Sequence, residues 1–249
     1  MKVELVTHSG SDLLVVDAAR ASFSKKSEMV VVKTEVEVDE EGRSYAEYPE
    51  FGLSNRDVKL VNYLARERHM LPFRHPQVTL RCKAPLFVAR QVGKHQTGMS
   101  WSEESRRYIT TEPEFFWPDK WRKKAENVKQ GSSDEEVKTY GHVWGFDYAE
   151  EDFRATDTIQ DSAEYVLAHC VTTYNKMLEA GVAPELARMI LPQNMYVTWV
   201  WTGSLLSFVH MIKERSADGA QKETRDFAVM VAEVIEPLYP VSYKALMEN

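Results

Sequence analysis

The 249 residues include 31 Lys and Arg against 38 Asp and Glu, for a formal net charge of -7, and 43% of them are hydrophobic. A chain of this length and apolar content can bury a sizeable core, while its negative charge argues against nucleic acid or an anionic membrane as a general partner. Two cysteines and no basic-then-apolar leader point to a reducing cytoplasm, and polar residues interrupt the most apolar run, Met195 to Ile212, so no membrane span is expected.

Taken in order, Lys2 to Thr7 is predicted as a strand and Asp17 to Phe23 as a short helix. Val30 to Val38 and Ser44 to Tyr48 read as a hairpin about Asp39-Glu40-Glu41-Gly42. Ser54 can cap a helix in which Val58, Val61, Leu64 and Ala65 recur at helical spacing, ending before Pro72. Val78, Leu80, Cys82 and Ala84 alternate with Thr79, Arg81 and Lys83, the period of a half-buried strand. The polar stretch Lys123 to Lys138 reads as a surface loop with helical fringes. Asp161 and Glu164 form a capping-box pattern before a helix carrying Leu167, Val171, Tyr174 and Leu178, which Gly181 stops. Pro184 suits the first turn of the next helix, with Leu186 and Arg188. Asn194 to Trp201 is β-prone, Thr202 caps a helix with Leu205, Phe208, Val209 and Ile212 inward, and Ala220 to Ile235 is the final long helix. No linker or repeat divides the chain, so a single domain over residues 1–249 is expected.

The charge is unevenly placed. From Ala65 to Tyr108, nine basic residues including Arg74, Arg81 and Lys83 outnumber Glu67, Glu103 and Glu104, a field that suits a small anionic ligand. Within it, Arg90, Lys94, Arg106 and Arg107 supply cations, Gln91, Ser100, Ser102 and Ser105 supply neutral hydrogen bonds, and His95 can titrate near neutral pH. Neither a Gly-x-Gly-x-x-Gly turn nor a Walker sequence is present, so this reads as a nucleotide site built without a phosphate loop.

Each group also has a plainer reading. A double arginine is by default solvated or paired with neighbours such as Glu103 and Glu104, and an arginine at a helix end, such as Arg188 or Arg215, compensates the dipole or snorkels. His210, among Phe208, Val209 and Met211, reads equally as a core or interface residue. Cys82 lies on the apolar side of a strand and Cys170 within a helix, so both read as structural thiols. His69, His75 and His95 lack a carboxylate or thiolate at ligand spacing, and no metal is expected.

Lys94-His95-Gln96 is followed after eight residues by Ser105 and then by Arg107-Tyr108. This block resembles the signature of the flavin-dependent thymidylate synthases, the ThyX family: Arg-His-Arg, a spacer, then Ser preceded by Asn-Glu and followed by Arg-Tyr. Here Lys94 and Gln96 replace the two arginines, and Ser102-Glu103 stands for Asn-Glu. Further blocks lie in family order: Ala19 to Phe23, His69 to His75, Ala84 to Gln91, and Ala187 to Tyr196 leading through Trp199 and Trp201 to Arg215 and Ala220-Gln221-Lys222-Glu223. Residues 29–50 and 115–160 match no family block and read as insertions or variable surface.

The resemblance implies an α+β fold, a twisted and mainly antiparallel sheet packed with helices and a helical C-terminal part, assembled as a homotetramer with active sites shared between chains. It implies reductive methylation of dUMP to dTMP, with methylenetetrahydrofolate as carbon source, FAD as cofactor and NADPH as reductant. Gln91, Lys94, Glu103, Ser105, Arg106, Arg107, Arg188 and Arg215 would bind dUMP, with Ser105 and Arg107 near the phosphate. Arg215 would be catalytic, its permanent charge favouring ionisation of the pyrimidine at N3 in place of a nucleophile. FAD would contact His69, Leu71, Lys94, His95, Gln96, Glu103, Ser204, Leu206 and His210, where Leu71 and Leu206 stand for polar family residues. Two other readings are a related flavoenzyme making a different one-carbon modification of a deoxypyrimidine monophosphate, and a nucleotide-binding oligomer without turnover.

Overall fold

The computed structural model describes residues 1–109, 111–126, 131–147 and 152–249. Strand β1 (Lys2–Ser9) leads into helix α1 (Asp12–Arg20), which starts earlier than the predicted Asp17 because Ser11 caps it, its hydroxyl accepting from the Leu13 amide at 3.3 Å. Strands β2 (Val30–Val38) and β3 (Ser44–Gly52) form the expected hairpin, and the Asp39 carboxylate closes its turn by accepting from the amides of Glu41 and Arg43. Helix α2 (Asn55–Arg66) has Ser54 as its cap, as expected. The buried Asp57 in its first turn pairs with Arg20 and accepts from Ser27 and Ser54, so the Arg20 block ties α1 to α2.

Strand β4 (Gln77–Pro85) follows the predicted alternation, with Val78, Leu80, Cys82 and Ala84 wholly buried. Helix α3 (Leu86–Val92) and strand β5 (Met99–Glu103) come next, and the charged signature thereby becomes a helix end, a turn and an edge strand. Strands β6 (Arg122–Lys124) and β7 (Ser132–Glu136) pair, which corrects the predicted loop with helical fringes; residues 127–130 of that stretch lie outside the described residues. Strands β8 (Thr139–Asp147) and β9 (Asp152–Thr158) make a second ribbon.

Helix α4 (Ile159–Glu179) is capped by Thr158, whose hydroxyl accepts from the Asp161 amide at 3.0 Å. The predicted box was therefore displaced by one turn: Asp161 sits inside the helix because β9 runs directly into it. Helix α5 (Pro184–Ala187) is short, and Arg188 falls in the 3₁₀ turn after it. Strand β10 (Tyr196–Ser204) runs past Thr202, which pairs across the sheet with Thr79 at 2.9 Å, so Ser204 rather than Thr202 caps helix α6 (Leu205–Ser216). Helix α7 (Lys222–Ile235) is not the last. Helix α8 (Pro240–Glu248), shadowed in the sequence by Pro237 and Pro240, follows it and is anchored where Asp12 accepts from the Val241 and Ser242 amides at 3.0 and 2.8 Å.

The central sheet has the order β1-β4-β10-β5, antiparallel throughout, which fits the expected α+β class. Its buried face and helices α6 and α7 enclose Leu80, Trp199, Trp201, Phe208 and Phe227, all essentially inaccessible. Each of these aromatics buries roughly 150–250 Å² of side-chain surface, about 4–6 kcal/mol at ~25 cal/mol per Å². That core rigidly backs β5 and α3, the elements carrying the signature. Among the described residues no helix is long and apolar enough to cross a membrane.

Candidate active site

Helix α3 ends by delivering Gln91, and the turn after it presents Lys94, His95 and Gln96. This turn is stitched to α6: Gly98 adopts φ +70°, and a Cβ there would lie 2.7 Å from Ser207 Oγ, which instead donates to the Thr97 carbonyl at 3.0 Å. The last turn of α6 brings Arg215 to the same place. Arg215 Nε donates to His95 Nε2 at 2.9 Å, and the His210 ring meets His95 edge-on at 5.8 Å. Burial, with Arg215 and His210 beside it, holds the His95 pKa below its usual 6.5 and so favours the neutral, accepting ring.

Two clefts meet at Lys94. The first, about 730 Å³, is walled by Gln91, Lys94, Arg122, Glu214, Arg215 and Gln221. A hydrogen-bond chain orients its amides. Thr224 Oγ1 donates to Gln91 Oε1 at 3.1 Å, Gln91 Nε2 to Gln221 Oε1 at 2.6 Å, and Gln221 Nε2 to Glu223 Oε2 at 2.9 Å. Arg122 Nη2 donates to Glu223 Oε1 at 2.6 Å. Burial raises the Glu223 pKa, but the Arg122 and Gln221 hydrogen bonds outweigh it and the carboxyl lies below its usual range. Fixed cations beside oriented amides suit an anion that carries an amide-like ring.

The second cleft, about 620 Å³, brings together Arg90, Lys94, His95, Gln96, Glu103 and the indoles of Trp101 and Trp201. Trp101 stacks on Trp199 at 4.4 Å and donates to Glu103 Oε2 at 3.1 Å. Flat aromatic walls with adjacent cations fit a planar group joined to phosphate.

Ser105, Arg106, Arg107 and Arg188 form a separate cluster that lines neither cleft. Arg188 Nη1 donates to Ser105 Oγ at 3.2 Å, Arg107 pairs with Glu185 at 3.3 Å, and Arg106 donates to the Thr111 carbonyl. Arg107 thus does pair with a carboxylate, though not with the adjacent Glu103 or Glu104.

The flavin-assigned positions divide as well. Lys94, His95, Gln96 and Glu103 share the second cleft, and His210 joins them through His95. The Ser204 hydroxyl is buried and used as a helix cap, accepting from the Ser207 amide at 3.2 Å, and Leu206 packs on the core. His69 is exposed and edge-on to Tyr63 at 5.9 Å, Leu71 is 67% exposed, and neither lines either cleft of this chain.

Sequence reasoning passed over Arg122 and the Gln221 amide. Gln221 lay in a family-like block, whereas Arg122 lay in the unmatched 115–160 segment and gave no signal. The cysteines behave as expected. Cys82 is wholly buried, which pushes its thiol up to about 12, and Cys170 is half-buried in α4.

Residues 4–241 match the family described as thymidylate synthase complementing protein. A flavin-dependent thymidylate synthase of Thermus thermophilus is 32% identical over 99% of this chain and 76% of its own length. The enzyme of the same name from Tropheryma whipplei is 34% identical, over 98% of this chain and 90% of its own. The crystal structure of a UMP/dUMP methylase, PolB, from Streptomyces cacaoi with bound 5-Br dUMP superimposes with a TM-score of 0.68 at 24% identity, over 99% of this chain and 94% of that one.

Proposed function

The chain belongs to the flavin-dependent thymidylate synthase family, and from that premise we propose that it reductively methylates dUMP to dTMP, using methylenetetrahydrofolate and NADPH with FAD as cofactor. The observation that carries this reading is the seat of Arg215: its guanidinium is steered by His95 into a cleft that also holds Lys94 and Gln91. A uracil placed there gains a fixed positive charge against the anion that forms on ionisation at N3, and that charge activates the ring with no covalent nucleophile. The burial of Cys82 agrees with this, because a thiol near 12 carries almost no thiolate at neutral pH.

Gln91, Lys94 and Arg215 bind dUMP from one side in this reading; Glu103, Ser105, Arg106, Arg107 and Arg188 bind it from another. The Ser105–Arg188 cluster does not line the Arg215 cleft of its own chain, which supports a site completed by a neighbouring chain; the assembly proposed, from the family resemblance, is a homotetramer. Lys94, His95 and Gln96, with His210, would hold flavin in the second cleft, whose indoles and cations fit it. Flavin held there would supply hydride chemistry, the reduction needed to turn a transferred methylene into a methyl group. The chain acts as one domain in the cytoplasm.

The test is product analysis with purified protein, dUMP, methylenetetrahydrofolate, NADPH and FAD. dTMP is the expected product. A hydroxymethylated nucleotide, or turnover of UMP alone, would assign a different one-carbon modification, and dUMP binding without product would leave a nucleotide-binding oligomer.

A further inference from the structure

Thr224, Gln91, Gln221, Glu223 and Arg122, drawn from α7, α3 and β6, are hydrogen-bonded in sequence, and Gln91, Gln221 and Arg122 of this line wall the Arg215 cleft. Gln221 holds the N-cap position of α7 but gives no side-chain bond to the helix amides, so its own amide is left for the line. Glu223 and Thr224, in the first turn of the same helix, are buried, where an unmade hydrogen bond is costly.

The line has a direction, and Glu223 sets it. Paired with Arg122 at 2.6 Å, the carboxylate is ionised and has no hydrogen to give. Gln221 must therefore turn its NH2 group to Glu223 and its carbonyl to Gln91. Gln91 must in turn donate through Nε2, which leaves its Oε1 to accept from Thr224. A glutamine amide is nearly symmetric in shape and turns over easily when alone; here turning either one would set oxygen against oxygen. After these bonds Gln91 keeps one N–H and one oxygen lone pair.

Uracil and cytosine differ at the edge such a group can read. Uracil carries a carbonyl at C4 beside N3–H, whereas cytosine carries an amino group beside a bare N3, the reverse pattern. An amide free to turn takes either base; one held in a single orientation takes one and leaves the other with unpaired polar groups. We propose that the relay from Arg122 through Glu223 and Gln221 fixes the Gln91 amide so that its N–H meets a pyrimidine carbonyl, which makes Glu223 and Gln221 positioning residues that select uracil over cytosine nucleotides. This rests on the reading of the Arg215 cleft as the dUMP site. An N–H on that carbonyl also suits ring ionisation, because negative charge formed at N3 spreads onto the carbonyl oxygen.

Glu223→Gln tests the relay by exchanging one oxygen for NH2. The side chain at position 223 still offers its oxygen to Arg122, so the new NH2 faces Gln221 and turns both glutamines over, the Thr224 hydroxyl now accepting. Equilibrium dialysis of dUMP and of dCMP on the full chain, with folding checked by thermal melting, measures the ratio of the two affinities. The variant is expected to bind dUMP about tenfold more weakly and dCMP about tenfold more tightly, the scale of one hydrogen bond exchanged for an unmatched group. Gln221→Leu cuts the relay and frees the Gln91 amide, and it reports if Glu223→Gln does not fold; it should bring the two affinities closer by about tenfold or more. Equal weakening of both nucleotides, or an unchanged ratio, in a folded variant overturns the relay as a selector even if the parent binds dUMP and makes dTMP. A parent that binds neither nucleotide removes the reading of the cleft and this inference with it. A ratio that shifts as expected while the parent binds dUMP but makes no dTMP keeps the selector and removes the proposed reaction.

Discussion

Arg215 donates its Nε hydrogen to Nε2 of His95 at 2.9 Å, which obliges His95 to be neutral with its own proton on Nδ1. The signature histidine and the C-terminal arginine, far apart in sequence, thus form one unit. His95 accepts from the guanidinium without neutralising it, so the charge remains available to the cleft.

Replacing Arg215 with Ala is expected to slow single-turnover dTMP formation by about a hundredfold or more, the usual cost of one preorganised electrostatic contact, with little change in thermal stability. The check is rapid-quench analysis at saturating dUMP alongside thermal melting. A rate within a few-fold of the parent would remove Arg215 from the mechanism.

Acid should uncouple the pair. The folded-state pKa of His95 lies below the ordinary 6.5, so the unfolded chain binds the proton more readily. The stability contributed by the neutral ring is full above about 6.5, declines as pH falls through that value, and is lost below the folded pKa. His95→Asn keeps an accepting oxygen and should flatten this part of the stability–pH curve, measured by denaturant titration from pH 5 to 8. A curve of unchanged shape would assign the acid sensitivity to other groups.

Cys82→Ala should retain dTMP formation and lose about 1–3 kcal/mol of stability, because the side chain is wholly buried between β-sheet and helices. Cys170→Ala, in a half-buried setting, should lose less. Urea denaturation and product analysis of the two variants check this. A folded variant making no product would restore a thiolate nucleophile.

Lys94→Arg with Gln96→Arg should tighten FAD binding, since both positions line the second cleft and the planar forks add charge and bidentate hydrogen bonds. Flavin fluorescence quenching at several salt concentrations measures it. Weaker or unchanged affinity would show that other residues, such as His210, hold the flavin.

Arg122→Met should cost about 3–5 kcal/mol, because it strands the Glu223 carboxylate in a nearly closed setting. Adding Glu223→Gln should return much of that loss in a double-mutant cycle followed by thermal unfolding. Additive losses would mean that the two side chains act independently.

Elements whose cause is local were legible in the chain order of residues. The alternation through β4, the Ser54 cap of α2 and the hairpin around Asp39 each depend on neighbours within a few positions, and each stands where its pattern placed it. The signature spacing, together with its flanking blocks, carried the family. Boundaries governed by pairing were not legible: β10 runs on to Ser204 because Thr202 is matched by Thr79 across the sheet, which displaces the predicted cap of α6.

The site divides on the same physical line. Residue types and spacing named Lys94 and His95, and the family resemblance named Arg215, but no pattern could reveal that Arg215 bonds to His95 or that Arg122, from an unmatched segment, closes the same cleft against Glu223. Those contacts join positions more than a hundred apart in several cases, and their geometry exists only once α3, α6 and α7 have packed on the β4–β10 core. Ser204 shows the converse. The family resemblance implied a flavin contact for it, and folding uses its hydroxyl to cap the first turn of α6, because an unsatisfied helix amide beside the core costs more than a hydroxyl turned away from solvent.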